Sequence, residues 1–264
     1  MVSCKEIQME VGKMRVYDFG EIRLHAYQTN DPINDEVFIL EKDRRAVIIE
    51  VPCFRNNIEE LTKYVDSNGL SVEGKMISYH AAGSSFLPGV KNYGTEISVK
   101  YNSAGGGKAL IENFSSVFGD AFDGGIAAAD EVMAPGKVNI AGIEMNIIPT
   151  PDAYNIEVES IKAVYIHMMG HDCHSIVAGK DHADAMIREL QDYISRNFSL
   201  ILTSHYTPEN LKDADEKIAY LQNVKKTASE CSSAEQFKEA VRKRYPQYSG
   251  DNYLEMTAGF FFPE

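Results

Sequence analysis

Hydrophobic positions in the first half of the chain alternate or run continuously, as in β-strands, and one stretch has helical spacing. The runs at 14–29 and 36–51 predict two hairpin-like pairs of strands. Apolar residues within 58–65 recur with the period of a helix, and Gly69 supplies a stop signal after them. Further strands are predicted at 75–80 and 95–101, and a further helix is predicted at 109–117.

The second half of the chain predicts a second group of strands followed by helices. Four short apolar runs lie between 138 and 166, close enough together to form a second sheet. Residues 182–194 carry one apolar helical face, and 200–205 is typical of a buried strand that ends in a loop. No repeat or linker divides the chain. We therefore expect one domain over 1–264, with a helical C-terminal extension from about 208.

Charge and composition exclude several classes of partner. Lys and Arg total 26 against 39 Asp and Glu, a formal net charge of −13, and no basic run could follow a phosphate backbone. No run approaches the roughly 20 apolar residues that cross a bilayer. The four cysteines form no C-x-x-C pair, which favours reduced thiols. The sequence predicts a cytoplasmic protein without nucleic-acid or membrane partners.

A histidine-rich segment is the densest group of chemically active side chains. His167, His171 and His174 stand there with Asp172 and Cys173. Imidazole, thiolate and carboxylate groups bind zinc and related metals, and histidine titrates near neutral pH. If the segment is helical, the three histidines share one face. It is interpreted as a metal site, as a metal-free His/Asp acid–base group, or as a polar loop with a structural role.

The order of the elements and several local sequences resemble the metallo-β-lactamase superfamily along roughly residues 20–215. Residues 34–52 are similar to the family's opening strands and its Leu-Ile-Asp-Thr-Gly turn, with Glu50 replacing the aspartate and Pro52 the glycine. Residues 77–85 occupy the place of the Thr-His-x-His-x-Asp-His metal motif. The resemblance implies the α/β class and a four-layer αββα sandwich, with an active site along one edge of its two sheets.

Most of the metal ligands that this resemblance implies are replaced. With Ser78 set against the motif threonine, His80 falls on a non-ligand position unless the register slips. Ala153 stands where the family has a later histidine, and Met168 where it has a bridging aspartate. His205 aligns with the last ligand loop and is retained. The remaining motif positions hold Tyr79, Ala81, Gly83 and Ser84.

The resemblance also places the histidine-rich segment where the family's Gly-Asp loop enters the active-site edge. A rebuilt site is therefore expected to combine this segment with the retained loop histidine. The predicted metal ligands are His167, His171, His174 and His205. The predicted catalytic residues are His171, Asp172 and His205, and the predicted pocket residues are Tyr79, His80 and Met168.

Two functions are compatible with these residues. In the first, one divalent metal (zinc, iron or manganese) activates water against a small ester, thioester, lactone or amide. In the second, which the loss of ligands favours, the chain is a metal-free, non-catalytic member of the same fold that binds a small molecule. The aromatic tail 260–262 is expected to pack in the core or at a homodimer contact.

Overall fold

A computed structural model describes residues 3–263, which divide into two compact units. The first unit contains residues 3–167 and 204–207, and the second contains 168–203 and 208–263. The single domain expected from the sequence stays a prediction.

The first unit is built on an eight-stranded sheet whose strands lie side by side in chain order. These strands are Ser3–Gln8 (β1), Lys13–Asp18 (β2), Arg23–Gln28 (β3), Glu36–Lys42 (β4), Arg45–Ile49 (β5), Ser71–Met76 (β6), Asn92–Thr95 (β7) and Glu131–Met133 (β8). Strands β1 to β5 pair antiparallel, which confirms the predicted early hairpins. Strands β5 to β8 pair in parallel, so their carboxyl ends share one edge of the sheet.

Three helices belong to this unit: Arg55–Ser67 (α1), Glu96–Ala104 (α2) and Gly106–Phe118 (α3), the last followed by a 3₁₀ turn at Gly119–Ala121. Helix α1 makes the crossover between the parallel strands β5 and β6, as parallel pairing requires. Its residues Ile58 and Leu61 are buried in one core with Ile39 and Ile48 of the sheet. The apolar spacing that predicted this helix therefore marks its buried face.

Helix α2 corrects one prediction, because residues 96–101 are helical and only Thr95 remains in a strand. The Thr95 hydroxyl accepts a hydrogen bond from the Ser98 N–H at 3.2 Å, and the Ser98 hydroxyl accepts one from the Thr95 N–H at 2.9 Å. These reciprocal bonds satisfy two donors at the helix start. The local capping chemistry thus outweighs the strand-like alternation of apolar residues.

The second sheet of this unit confirms the four predicted short strands. They are Gly136–Ile140 (β9), Ile143–Pro149 (β10), Tyr154–Val158 (β11) and Ala163–Tyr165 (β12), with a 3₁₀ turn at Glu159–Ile161. The strands pair antiparallel in the order β12-β11-β10-β9. The two sheets meet through buried side chains: the rings of Phe38 and Tyr165 pack edge to face with centroids 6.2 Å apart. This packing brings the ends of β5, β6 and β12 near one another.

The second unit is mainly helical. It contains Lys180–Ser195 (α4), Leu200–Leu202 (β13), Leu211–Glu230 (α5), Ala234–Arg244 (α6) and Asp251–Phe261 (α7). Phe237 of α6 packs against the rings of Phe261 and Phe262, with centroids 5.9 and 5.7 Å away. Two of the three tail phenylalanines therefore contribute to packing within this unit, whereas Phe260 is 52% exposed.

Other predictions from the sequence are settled by local structure. The histidine-rich segment 166–179 contains no helix, so the shared helical face considered for its histidines does not form. Cys4, Cys53, Cys173 and Cys231 are all free thiols, as predicted. Within residues 3–263, no helix has both the length and the apolar character needed to cross a membrane.

The Glu60 carboxylate holds helix α1 to the turn between β1 and β2. It accepts hydrogen bonds from the N–H groups of Val11 at 2.7 Å and Gly12 at 2.8 Å and from the Tyr27 hydroxyl at 2.6 Å. Burial raises the pKa of Glu60, but these hydrogen bonds outweigh it and hold the pKa below the ordinary 4.5. The carboxylate therefore stabilises the fold above that pH, and its contribution is lost as the pH falls through the folded-state pKa.

We predict that Glu60→Gln lowers the free energy of unfolding at pH 7 by about 2 kcal/mol, because hydrogen bonds to a charged acceptor are lost. The difference from the wild type should narrow as the pH falls from 4.5 through the lowered pKa of the folded state, because the wild-type carboxylate then also becomes neutral. Urea unfolding of the wild type and the variant, at pH 7 and again below pH 4.5, measures the difference in the free energy of unfolding. Glu59→Gln, which changes the exposed neighbouring carboxylate, serves as the control. Equal effects of the two substitutions would contradict the assigned role.

Candidate functional site

Three histidines from distant parts of the sequence converge in the first unit. His80 follows strand β6, His167 follows β12, and His205 lies in the segment 204–207. One ring nitrogen from each lies within 4.8 Å of the other two. The ring centroids are 4.8 to 5.4 Å apart. We call these three residues the histidine triad.

The histidine triad is sheltered on one side and open on another. The Tyr79 ring stacks on the His167 ring with centroids 4.1 Å apart, and its hydroxyl is 2.6 Å from the Thr150 hydroxyl. His80 and His205 keep 19% and 20% of their side-chain surface exposed. His80 and His205 thus keep part of their surface accessible to solvent, while Tyr79 covers one face of the His167 ring.

A buried carboxylate organises the loop that carries His80. Glu50 lies just after β5 with a φ of 61°, an uncommon left-handed conformation for a residue with a side chain. Its Oε1 accepts from the Tyr79 N–H at 2.8 Å, and its Oε2 accepts from the N–H groups of Ser78 and His80 at 3.3 and 3.1 Å. The carboxylate thus fixes three consecutive peptide groups at this edge of the sheet.

The same carboxylate also begins a hydrogen-bond chain that fixes the ring of His167. The Tyr165 hydroxyl donates to Glu50 Oε1 at 2.5 Å. Its oxygen therefore accepts the Ser204 hydroxyl proton over 2.7 Å, and Ser204 Oγ in turn accepts from His167 Nδ1 over 3.1 Å. This network assigns the proton of His167 to Nδ1 and leaves a lone pair on Nε2.

His205 is oriented by the main chain. Its Nδ1 donates to the Ile33 carbonyl at 3.1 Å, so Nε2 again carries the lone pair. The Asp35 carboxyl group contacts two rings of the histidine triad: its Oδ1 lies 3.4 Å from Nδ1 of both His80 and His205. Two of the three rings thus have an assigned free nitrogen, and a carboxylate lies on the Nδ1 side of the third.

Electrostatics keep the histidine triad uncharged. Burial, followed by the neighbouring His205 and His167, lowers the pKa of His80 well below 6.5. Burial and His205 lower the pKa of His167 in the same way, and burial lowers that of His205. Burial raises the pKa of Glu50 to about 7 although the Tyr165 hydroxyl and the loop N–H groups oppose this shift. Neutral imidazoles retain the lone pairs that a metal requires.

The donor set of the histidine triad fits a divalent transition metal. Three imidazole nitrogens with a further position left for water or substrate are a common arrangement in catalytic zinc sites. Hydrogen bonds from the non-ligating nitrogens to Ser204 and Ile33 supply the orientation that such ligands usually have. His80, His167 and His205 are therefore the residues of this unit that could hold such an ion.

The structure places the other predicted site residues in the second unit. His171 Nδ1 lies 2.7 Å from Glu209 Oε1, and His171 forms a possible ligand group with Asp213 and Glu216. His174 Nδ1 lies 3.0 Å from the Tyr220 hydroxyl. Asp172 is exposed and Met168 is half-buried. Of the four predicted ligands, His167 and His205 belong to the histidine triad, together with His80, which was predicted only as a pocket residue.

Sequence reasoning missed the groups that support the histidine triad. A shift of one residue, with Tyr79 against the motif threonine, would have set His80 on the first histidine of the metal motif. Glu50 was noted as the substitute for the family's turn aspartate, which implied a supporting carboxylate rather than a metal ligand, but its partners were not foreseen. Tyr165 and Ser204 carried no signal, because a tyrosine and a serine 39 positions apart become partners only in the folded chain.

Nuclear magnetic resonance of the metal-free protein tests the assigned hydrogen-bond network. We predict that the rings of His167 and His205 both carry their proton on Nδ1 at pH 7, which histidine ¹⁵N shifts report. Ser204→Ala should shift His167 toward a mixture of tautomers and leave His205 unchanged, because only His167 loses an acceptor. An Nε2-protonated His167 in the wild type would contradict the network.

The same spectra test the charge state during a pH titration. The pKa of His171 is raised above 6.5, because its hydrogen bond to Glu209 and the nearby acidic charges outweigh the lowering effect of burial. We predict that His171 gains its proton first as the pH falls from 8, whereas His80 and His167 remain neutral well below pH 6.5. The reverse order would show that the histidine triad is more polar than its burial indicates.

Comparisons with known proteins identify the fold. No protein-family model and no curated protein matches the chain. A sec-alkylsulfatase, Pisa1 from Pseudomonas sp., is similar with a TM-score of 0.65 and 13% identity over 92% of this chain. The chain covers only 49% of that protein.

Two shorter structures are similar along nearly their whole length. A metallo-β-lactamase family protein from Thermus thermophilus has a TM-score of 0.60 and 11% identity over 91% of both chains. A metallo-β-lactamase from Erythrobacter litoralis has a TM-score of 0.55 and 10% identity over 83% of this chain and 100% of its own. These matches confirm the α/β class and the fold type that the sequence resemblance implied. The chain therefore has the fold of the metallo-β-lactamase superfamily.

Proposed function

We propose that the chain is a metal-dependent hydrolase whose divalent metal is held by His80, His167 and His205. The observation that carries the proposal is the convergence of three uncharged imidazoles, each with a ring nitrogen within 4.8 Å of the others. A hydrogen-bonded structural cluster of histidines would not need one nitrogen of every ring to lie this close to the other two. A metal ion does need this, because zinc–nitrogen bonds are about 2.0–2.1 Å long.

The bound ion would supply a water molecule of lowered pKa and would polarise the carbonyl that is attacked. The chain's own residues prepare the site for that chemistry. Ser204 and the Ile33 carbonyl hold the rings of His167 and His205 so that their Nε2 lone pairs stay available. Glu50 holds the loop of His80 through its peptide N–H groups. Such prior orientation reduces the rearrangement that metal binding requires.

Two observations support the proposed substrate class. The exposed fifth of the His80 and His205 side chains gives access to a small substrate or to one end of a longer one. The net charge of −13 gives no long-range attraction for anions. A small ester, thioester, lactone or amide is the class that metal-activated water would hydrolyse here.

Elemental analysis of protein purified without an affinity metal column tests the proposal. We expect His80→Ala, His167→Ala and His205→Ala each to lose about one equivalent of zinc, iron or manganese relative to the wild type. His25→Ala is the matched control, because it removes a buried histidine of the same unit that contacts Tyr64 and Glu41 instead. His171→Ala tests the ligand predicted from the sequence, and we expect it to retain the triad metal.

We expect hydrolytic activity to require the bound metal. The metal-loaded wild type should cleave at least one of a nitrophenyl ester, an acyl thioester, a lactone or an anilide, and the three triad variants should not. Wild-type protein that is well folded, binds no metal at the triad and cleaves none of these compounds would contradict the proposal. Such a result would favour the metal-free, small-molecule-binding alternative instead.

A further inference from the structure

A second cluster of ligating side chains lies in the first unit, outside the histidine triad. Asp31 and Asp35 belong to the loop between β3 and β4, and Cys53 lies between β5 and α1. One ligand atom from each of the three lies within 4.8 Å of the other two. All three are buried, with only 7%, 1% and 3% of their surface exposed. Two carboxyl groups and a thiol thus share a site that water scarcely reaches.

The hydrogen bonds of this cluster leave two carboxylate oxygens without partners. Asp31 Oδ1 accepts from the Ile33 N–H at 2.9 Å, and the Cys53 thiol donates to Asp35 Oδ2 at 3.3 Å. Asp31 Oδ2 and Asp35 Oδ1 are buried and accept no hydrogen bond, although Asp35 Oδ1 lies 3.4 Å from Nδ1 of His80 and His205. A buried carboxylate oxygen without a partner is strongly unfavourable. Burial of these two oxygens therefore destabilises the folded loop, and the hydrogen bonds within the loop do not offset this free-energy cost.

No permanent positive charge of the protein compensates these carboxyl groups. Within residues 3–263, the ion-pair contacts of Asp35 are those to His80 and His205, and no lysine or arginine pairs with Asp31 or Asp35. Burial of all three side chains makes this lack of compensation costly, because an isolated charge is strongly unfavourable away from water. A proton or an external cation must therefore balance the cluster.

We propose that Asp31, Asp35 and Cys53 form a second metal site, for a thiol-binding divalent cation such as zinc or iron(II). A thiolate among the ligands favours these ions over magnesium or calcium, which prefer oxygen ligands only. When the cation binds, the Cys53 S–H bond gives its proton to solvent and the thiolate takes the metal. The two carboxylates become ligands and lose any proton that they hold.

The second site is independent of the proposed hydrolase function, because none of its ligands belongs to the histidine triad. The two sites are nevertheless adjacent through one side chain. Asp35 presents Oδ1 to Nδ1 of His80 and His205 and Oδ2 to the thiol of Cys53. A cation bound at the second site would thus fix the orientation of the Asp35 carboxylate, which contacts His80 and His205 of the triad.

Cobalt(II) binding to the metal-free protein tests the second site. All variants carry Cys4→Ser and Cys231→Ser, since these two thiols are not buried and an accessible thiol is itself a ligand for cobalt. We expect a near-ultraviolet thiolate-to-cobalt absorption band in this background. The band should disappear in Cys53→Ser and persist in Cys173→Ser, the matched control that alters another buried thiol. A band that survives Cys53→Ser would overturn the proposal, as would its absence from the background protein.

Zinc equilibrium dialysis separates this proposal from the proposed function. Cys53→Ser and Asp31→Asn should each lose about one equivalent of zinc relative to the background, and His167→Ala should lose a different equivalent while keeping the cobalt band. If His167→Ala loses no zinc but Cys53→Ser does, the hydrolase proposal fails and the second site stands. If Cys53→Ser does not fold, zinc X-ray absorption of the background protein decides, because a sulfur ligand lies about 2.3 Å from zinc. A zinc shell without sulfur would contradict the site.

Discussion

The buried carboxylate of Glu50 is the interaction on which the candidate site depends. It satisfies three consecutive N–H groups of the loop that carries His80, and through Tyr165 and Ser204 it fixes the ring of His167. Four donors surround this carboxyl group and offset part of the cost of its burial, which still raises its pKa to about 7. The left-handed conformation of Glu50 turns its side chain into the loop, so backbone strain and hydrogen bonding serve the same arrangement.

Polar groups are concentrated where the strands of the first unit end, and apolar packing elsewhere supports them. The core that holds α1 against the first sheet and the contact between Phe38 and Tyr165 are buried. These contacts set the distances between the ends of β5, β6 and β12. The histidine triad and the Asp31, Asp35 and Cys53 cluster therefore lie on loops that a rigid scaffold positions, as is usual for functional residues in proteins.

Several elements could be predicted from the sequence because one local signal dominated each. Apolar periodicity gave α1, and alternation gave the early hairpins and the four strands of the second sheet. Helix α2 was missed because its capping hydrogen bonds between Thr95 and Ser98 are local chemistry that a search for periodicity does not detect. Histidine density drew attention to the segment that carries His167, a member of the histidine triad. His171 and His174 of the same segment have carboxylate and phenol partners within the second unit.

The sequence by itself determined the fold type and the acidic character of the protein. Those properties reside in residue order and composition. Only the tertiary structure decided which histidines converge, because His80, His167 and His205 are far apart in the chain and meet through the packing of two sheets. It likewise decided that Asp31, Asp35 and Cys53 are buried together, since no spacing rule joins residues whose proximity depends on long-range contacts.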